Sequence, residues 1–312
     1  MPLRGLEPPR LSAHDPKEDE FALAIYEGID FANRDHHFGR CRVVDKRGVL
    51  RLELEFDEEA PIKKTAVDRP FGSSWGFQEL LNGNIVPDVE DDGYKARKTE
   101  LWLREHIREY ETNIRWGDRN DAEREEFPRQ NYFNGGAHVQ STLALQIVPD
   151  CLAWLFEKLG EFDNPAARLQ ALSQARRGES DFVEAHPRLF LYSIIERLYL
   201  YNEELITLQV LNTVAGYKDR DGEPPHTERR AAIYRLLCQN HEGWLPVGRE
   251  IRPHEAPASL VESDHTFDAW LCCLTAWAHD LDQTIGWQAV EIEQQYVDVE
   301  GHIHILPLGP RD

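Results

Sequence analysis

Apolar positions along the first quarter of the chain recur in short, β-compatible runs. Residues 21–32, FALAIYEGIDFA, form one such run, which ends at Asp30 and the small residue Ala32. Residues 38–56 read as a hairpin: FGRCRVV, a turn at Asp45-Lys46-Arg47-Gly48, then VLRLELEF. In the last segment Leu50, Leu52, Leu54 and Phe56 alternate with charged neighbours, the period-2 pattern of a strand with one buried face. Residues 63–72, KKTAVDRPFG, predict a fourth, short buried strand whose end is marked by Asp68, then by Pro70 and Gly72.

From Ser73 to about Gly178 the pattern changes to loops and helices. LWLREHIREY (101–110) and STLALQIVPDCLAWLFEKLG (141–160) have helical apolar spacing, with Pro149 expected to kink or split the second. Strand character returns at DFVEAH (181–186), and the stretch LFLYSIIERLYLY is helical. A further helix is predicted over 227–239. The Pro-broken loop after it predicts no regular structure. Ser263 is placed to cap a last helix, HTFDAWLCCLTAWAHDL, because its hydroxyl can accept an orphan amide. The chain closes on strand-like EGHIHILPL. Early antiparallel strands followed by strands alternating with helices predict an α/β fold, a mixed sheet with flanking helices and a large helical insertion. The expected organisation is a mobile, Pro- and charge-rich leader over 1–20, a core from 21–72 and 179–312, and the insertion at 73–178.

Charge changes this picture. Lys and Arg number 35 against 56 Asp and Glu, a net charge of −21, which excludes a general polyanion binder gripping duplex nucleic acid along its length. The longest nearly apolar run, 269–278, is half of the roughly 20 residues a membrane span needs, so no membrane helix is expected. Five cysteines without Cys-x-x-Cys spacing indicate neither a disulfide framework nor a thiolate zinc site, and fit a reducing, cytoplasmic compartment.

The chemistry lies in the carboxylates. Asp30, Asp68 and Glu184 each stand at or near the end of a predicted buried strand, where an uncompensated charge costs several kcal/mol. Asp264 and Asp268, four apart at the start of an apolar helix, share one helical face. Asp264 alone also suits the helix macrodipole, whereas Asp268 is followed directly by the apolar run and is expected to face the protein body. Five carboxylates so placed suit divalent cations, because Mg²⁺ and Mn²⁺ prefer hard oxygen ligands and offset the mutual repulsion.

Five segments together carry a resemblance: Gly28-Ile29-Asp30-Phe31-Ala32; Ala66-Val67-Asp68-Arg69-Pro70-Phe71-Gly72; Tyr94-Lys95-Ala96-Arg97-Lys98-Thr99-Glu100; Glu184-Ala185-His186-Pro187; and Asp264-His265-Thr266-Phe267-Asp268-Ala269. In this order they resemble the elements of a family of predicted RNase H-like nucleases. The resemblance implies an RNase H-like sheet with its carboxylates at the strand ends and on the last helix. The short link DEEAPIKK and the insertion at 73–178 depart from the wider fold.

The leading expectation is a metal-dependent nuclease using Mg²⁺ or Mn²⁺, with two ions held by Asp30, Asp68, Glu184 and Asp268, helped by Asp264. Its acidity points to a short, single-stranded or structured nucleic acid as partner. Arg97, Lys98 and Arg229 are candidates to hold phosphate, with surface ion pairing as the competing reading. His186 is a candidate for proton transfer or for a structural hydrogen bond. His36-His37 and His302-x-His304 lack a third ligand at metal-binding spacing. The alternatives are a non-catalytic partner-binding module that uses the insertion as its surface, and phosphoryl transfer to a small molecule. The latter expects a Gly-rich loop beside the first strand, where Gly28 stands alone.

Overall fold

A computed structural model describes residues 23–31, 38–55, 60–69, 71–72, 97–98, 102, 151–160, 164–218, 226–290 and 292–307. The leader at 1–20, His36-His37 and most of 101–110 lie outside these residues. Four strands open the chain: β1 (Ala24–Phe31), β2 (Phe38–Lys46), β3 (Val49–Glu53) and β4 (Lys64–Asp68). The expected hairpin joins β2 to β3. Arg47 and Gly48 both take positive φ there, and Asp45 Oδ1 accepts the Gly48 amide at 2.8 Å. Leu50 is buried, and Leu52 and Leu54 pack against the same core, as the alternation predicts.

Two further short strands complete the sheet: β5 (Phe182–Glu184) and β6 (Glu250–Arg252). The order is β5-β4-β1-β2-β3-β6. β1 runs antiparallel to β2 and parallel to β4; β4 and β5 are parallel, as are β3 and β6. The sheet is therefore mixed, as expected. The loop after residue 239 is not wholly irregular, because β6 takes up the edge of β3 over three residues, too few to carry a period. The strand expected near 300–308 is reduced to one bridge, Glu184 to Ile303.

Helix α1 covers 151–159 of the expected 141–160, with the remainder outside the described residues. Helix α2 (Pro165–Arg177) has clear local signals: Asn164 Oδ1 accepts the Ala167 amide at 2.9 Å, Pro165 opens the first turn, and Gly178 ends the helix at φ 74°. α3 (Pro187–Tyr201), α4 (Leu208–Ala215), α5 (Thr227–Gln239), α6 (Ala258–Val261), α7 (Asp264–Asp280) and α8 (Gln294–Glu300) follow. α5 matches its prediction residue for residue. Ser263 does occupy the N-cap position of α7, but its side chain makes no capping hydrogen bond.

Helix α7 is the axle of the molecule. Every residue from Phe267 to Ala278 is buried, the mark of a helix surrounded by protein. One side lies on β1, β2 and β4, and α3 and α6 pack elsewhere on it. Two glycines permit the contact with the sheet: a Cβ at Gly28 would coincide with the carbonyl of Ala269, and one at Gly39 with the carbonyl of His265. The far end of α7 is tied down separately. Tyr26 Oη donates to Asp280 Oδ2 at 2.8 Å, Lys63 pairs with Asp280 at 2.6 Å, and Trp277 Nε1 donates to Asp45 Oδ2 at 3.1 Å.

The opposite face of β1 and β4 forms a second core, in which Ile29 and Val67 pack with Phe71, Cys151, Leu155, Leu172 and Ala175. Residues 151–178, read from the sequence as part of an insertion, thus help to cover the sheet.

Alanine usually stabilises a compatible glycine site by limiting the unfolded chain. At position 28 the sign should reverse, because the new methyl meets helix backbone that cannot rotate aside. Gly28→Ala is expected to cost at least about 1–3 kcal/mol, measured by urea unfolding against the parent.

Candidate metal centre

Strand register assembles the site. Asp30 pairs with Asp68 across β1 and β4, so both carboxylates leave the same face, at the carboxyl ends of two parallel strands. Gly28 lies on that face two residues earlier and seats α7, which delivers Asp268 one turn into the helix. Ligand oxygens of Asp30, Asp68 and Asp268 lie within 4.8 Å of one another, and among the described residues no other group of three metal-ligating side chains does so. Asp268 is fully buried and Asp30 nearly so.

Such a cluster needs positive charge, and three residues not singled out by the sequence reading supply it or the hydrogen bonds that accompany it. His265 Nδ1 lies 2.7 Å from Asp30 Oδ2. That hydrogen bond, opposed by partial burial and reinforced by the charges of Asp30 and Asp264, raises the imidazole pKa above its ordinary value. Tyr217 Oη donates to Asp268 Oδ1 at 2.8 Å, and burial holds the phenol well above its usual pKa, so it remains a donor. The Lys218 ammonium sits directly on Asp268 Oδ2. Asp68 has a different compensation. Burial first, then the negative charge of Asp30, pushes its carboxyl up to about 7, with Lys218 and Arg69 pulling the other way.

The backbone that carries Tyr217 and Lys218 is itself held. Three successive carbonyls have side-chain partners from the start of α5: Arg229 Nη1 donates to Gly216 O at 3.0 Å, Arg230 Nη1 to Tyr217 O at 2.8 Å, and His226 Nδ1 meets Lys218 O at 2.8 Å. Arg230 also donates to Val261 O and Glu262 O in the turn that leads into α7.

The remaining sequence candidates fall elsewhere. Glu184 pairs in register with Val67, one residue away from Asp68, and so projects from the opposite face. There its carboxylate accepts the Phe71 amide at 2.9 Å and pairs with Arg97 at 2.5 Å, both partners of the pair being almost completely buried. Arg97 also donates to Glu300 O. Lys98 gives its amide to Glu300 Oε2, and its ammonium lies 3.5 Å from the Tyr296 ring centroid. Asp264 does not join the three aspartates, and its Oδ1 is 3.9 Å from His265 Nε2. Arg229 is exposed but serves the Gly216 carbonyl. His186 is the N-cap of α3: its Nδ1 accepts the Leu189 amide, and burial lowers its pKa to about 3. The contact is the structural hydrogen bond that the sequence offered as the alternative to proton transfer.

His302 and His304 do come together, with ring centroids 4.8 Å apart, and His279 completes an edge-to-face stack with His304. Burial lowers the pKa of all three. The cysteines are free and buried. No described helix is long and apolar enough to cross a membrane. In comparisons with protein-family models, curated proteins and solved structures, the chain matches none.

Two measurements check this assignment of the two sheet faces. A folded carboxyl with a raised pKa binds a proton that the unfolded chain has already released. In chelator, its contribution to stability should therefore fall as pH rises from about 4 towards 7. Relative to the parent, Asp68→Asn should remove that descent and be more stable at pH 8 by roughly 2–4 kcal/mol, read from urea unfolding across pH. On the other face, Arg97→Met strands a buried Glu184 carboxylate. It should cost about 3–5 kcal/mol while leaving Mn²⁺ binding, followed by calorimetry, unchanged.

Proposed function

We propose that the chain is a divalent-metal-dependent nuclease of RNase H-like type, hydrolysing phosphodiesters in short, single-stranded or structured nucleic acid. One observation carries the reading: Asp30, Asp68 and Asp268, from three separate elements, converge within 4.8 Å at the carboxyl ends of parallel strands. Ligands of open α/β sheets collect at that end. The family resemblance implies carboxylates at the strand ends and on the last helix; here they lie at the ends of the first and fourth strands and on α7, which α8 follows, while Glu184 lies on the other face.

The donor set fits a hard cation. Three carboxylates offer oxygen ligands of the type Mg²⁺ and Mn²⁺ prefer. The Lys218 ammonium on Asp268 is a stand-in cation, and the raised proton affinity of Asp68 is the same demand for positive charge met by a proton. When bound, a divalent ion polarises a phosphoryl oxygen and lowers the pKa of water. The chain's own residues provide the setting: the three aspartates would hold the ion, and Asp30 Oδ2, 2.7 Å from His265 Nδ1, orients that imidazole. The His265 side chain is 41% exposed, so its ring can meet a phosphate at the rim. A net charge of −21 repels long polyanions, which restricts the substrate to chains that touch the site and little else.

A specific observation favours the rival reading, a non-catalytic binding module: Tyr217 and Lys218 engage both oxygens of Asp268. A cleavage assay separates the two. Purified protein is incubated with labelled single-stranded DNA, single-stranded RNA and a branched duplex in Mg²⁺, Mn²⁺ or EDTA. The nuclease reading expects products with metal, none in EDTA, and loss to background in Asp30→Asn and Asp268→Asn. Absence of cutting on every substrate, or cutting that persists in Asp30→Asn, overturns it.

A further inference from the structure

We infer that Arg188 is a substrate-binding residue of the carboxylate centre, taking the backbone phosphate next to the one that meets the three aspartates. This deepens the nuclease reading above and rests on it. A nuclease must hold the chain on either side of the bond it cuts, and the three cations that the sequence offered for this are engaged in the fold itself. Arg97 pairs with Glu184, Lys98 lies on Glu300 and the Tyr296 ring, and Arg229 serves the Gly216 carbonyl.

Topology brings Arg188 to the site instead. β5 runs parallel to β4, and the Ala185 amide donates to Val67 O, so β5 ends at the same edge of the sheet as Asp30 and Asp68. The chain then turns at His186 into α3, whose second residue is Arg188. Helical side chains tilt towards the helix start, so this one tilts towards that edge. Its neighbours decide the face. Ala185, Phe190 and Leu191 belong to the core that contains α7, and the Arg188 guanidinium carbon lies 5.8 Å from the centre of the Tyr217 ring, whose hydroxyl holds Asp268. One aromatic ring therefore stands between Arg188 and the acidic cluster.

What this guanidinium lacks is an anion. Arg188 Nε is buried without a hydrogen-bond partner, and among the described residues no carboxylate or carbonyl takes up the rest of the group. Lys218, 5.7 Å from the same ring, differs in being taken by Asp268. The charges of Arg188 and Lys218 both reach His186, where they add to burial in lowering its pKa, so positive potential collects around the start of α3. A ring face attracts a cation but leaves the in-plane N–H donors of a guanidinium without an acceptor, and a desolvated donor without one is unfavourable. A phosphodiester supplies both missing parts, a negative charge and two unesterified oxygens that match the planar fork. Because Arg188 stands off from the carboxylates, the phosphate at the aspartates is not its ligand; the adjoining one is. The centre is thereby suited to a chain of linked phosphates and not to an isolated diester.

Binding of short, fluorescently labelled single-stranded DNA and RNA to the full chain tests this. It is followed by anisotropy in Ca²⁺ and in EDTA, with the probe checked to be intact. Arg188→Met, which keeps an apolar stem beside Tyr217, should weaken binding about tenfold on every sequence. Its salt dependence should fall by the share of about one phosphate, and Arg188→Lys should lie between the two. Neutral methylphosphonate is then placed at successive linkages. One linkage beside the position held at the aspartates should weaken binding to the parent and have no effect on Arg188→Met, in which that contact is already lost. An Arg188→Met chain that binds as the parent does overturns the inference. So does a weakened variant that still responds to every neutral linkage as the parent does, since Arg188 would then act only through the packing of Tyr217. Where circular dichroism shows that the variants do not fold, the scan on the parent decides, and a single sensitive linkage overturns the inference. Arg188-dependent binding without cleavage in any metal removes the nuclease reading and keeps the phosphate contact. Cleavage that is lost in Asp30→Asn, with binding indifferent to Arg188, removes the phosphate contact alone.

Discussion

The direct seating of helix backbone on sheet backbone is the constraint from which the rest follows. At Gly28 and Gly39 no side chain separates α7 from β1 and β2, and the carbonyls of Ala269 and His265 fill the space a Cβ would need. Helices and sheets usually pack through interleaved side chains, which hold their axes about 10 Å apart. Without that layer the helix start comes down on the ends of β1 and β4. Asp268 reaches Asp30 and Asp68 only for this reason. The apolar run Phe267–Ala278 then supplies burial on all sides, so hydrophobic free energy holds like charges together that would separate in water.

The two faces of the sheet treat buried acid differently. Glu184 has a guanidinium and a backbone amide, a closed pair of the kind that fixes neighbouring segments to each other. The opposite face sets three carboxylates against one ammonium, one phenol and one imidazole, and burial with the neighbouring Asp30 charge raises the pKa of Asp68. Compensation there is shared among several groups instead of being closed in a single pair.

Much of this was legible in the sequence, and the boundary of legibility has a physical origin. Alternation at Leu50, Leu52 and Leu54 marked the hairpin, and the apolar run after Asp268 marked α7, because both patterns are local consequences of burial. Asp30 and Asp68 stood out as charges at the ends of apolar strands. Glu184 carried the same signature and lies on the other face, since the side it takes depends on its register against β4, a non-local quantity that no single strand encodes. Tyr217 and Lys218 gave no signal. They close a short helix 51 and 50 positions before Asp268, and their role exists only once Arg230 has joined that turn to the start of α7. Helix α2 was not among the elements expected from the sequence, because it lacks a strong apolar stripe; its local signals are the caps Asn164-Pro165 and Gly178.

The fastening of α7 at its far end bears on how quickly the site could respond. Asp280 is held by Tyr26 and Lys63, and Trp277 by Asp45, while the glycine seat blocks lateral sliding near the helix start. A helix fixed at both ends has no low-energy shift available, and collective displacements of that kind take on the order of microseconds to milliseconds where they occur. Adjustment at the carboxylates is left to side chains at the rim, the partly exposed Lys218 and His265. Local rearrangement around the three aspartates therefore falls to the rotation of these two side chains against a helix fixed at both ends, and each must first leave its carboxylate partner.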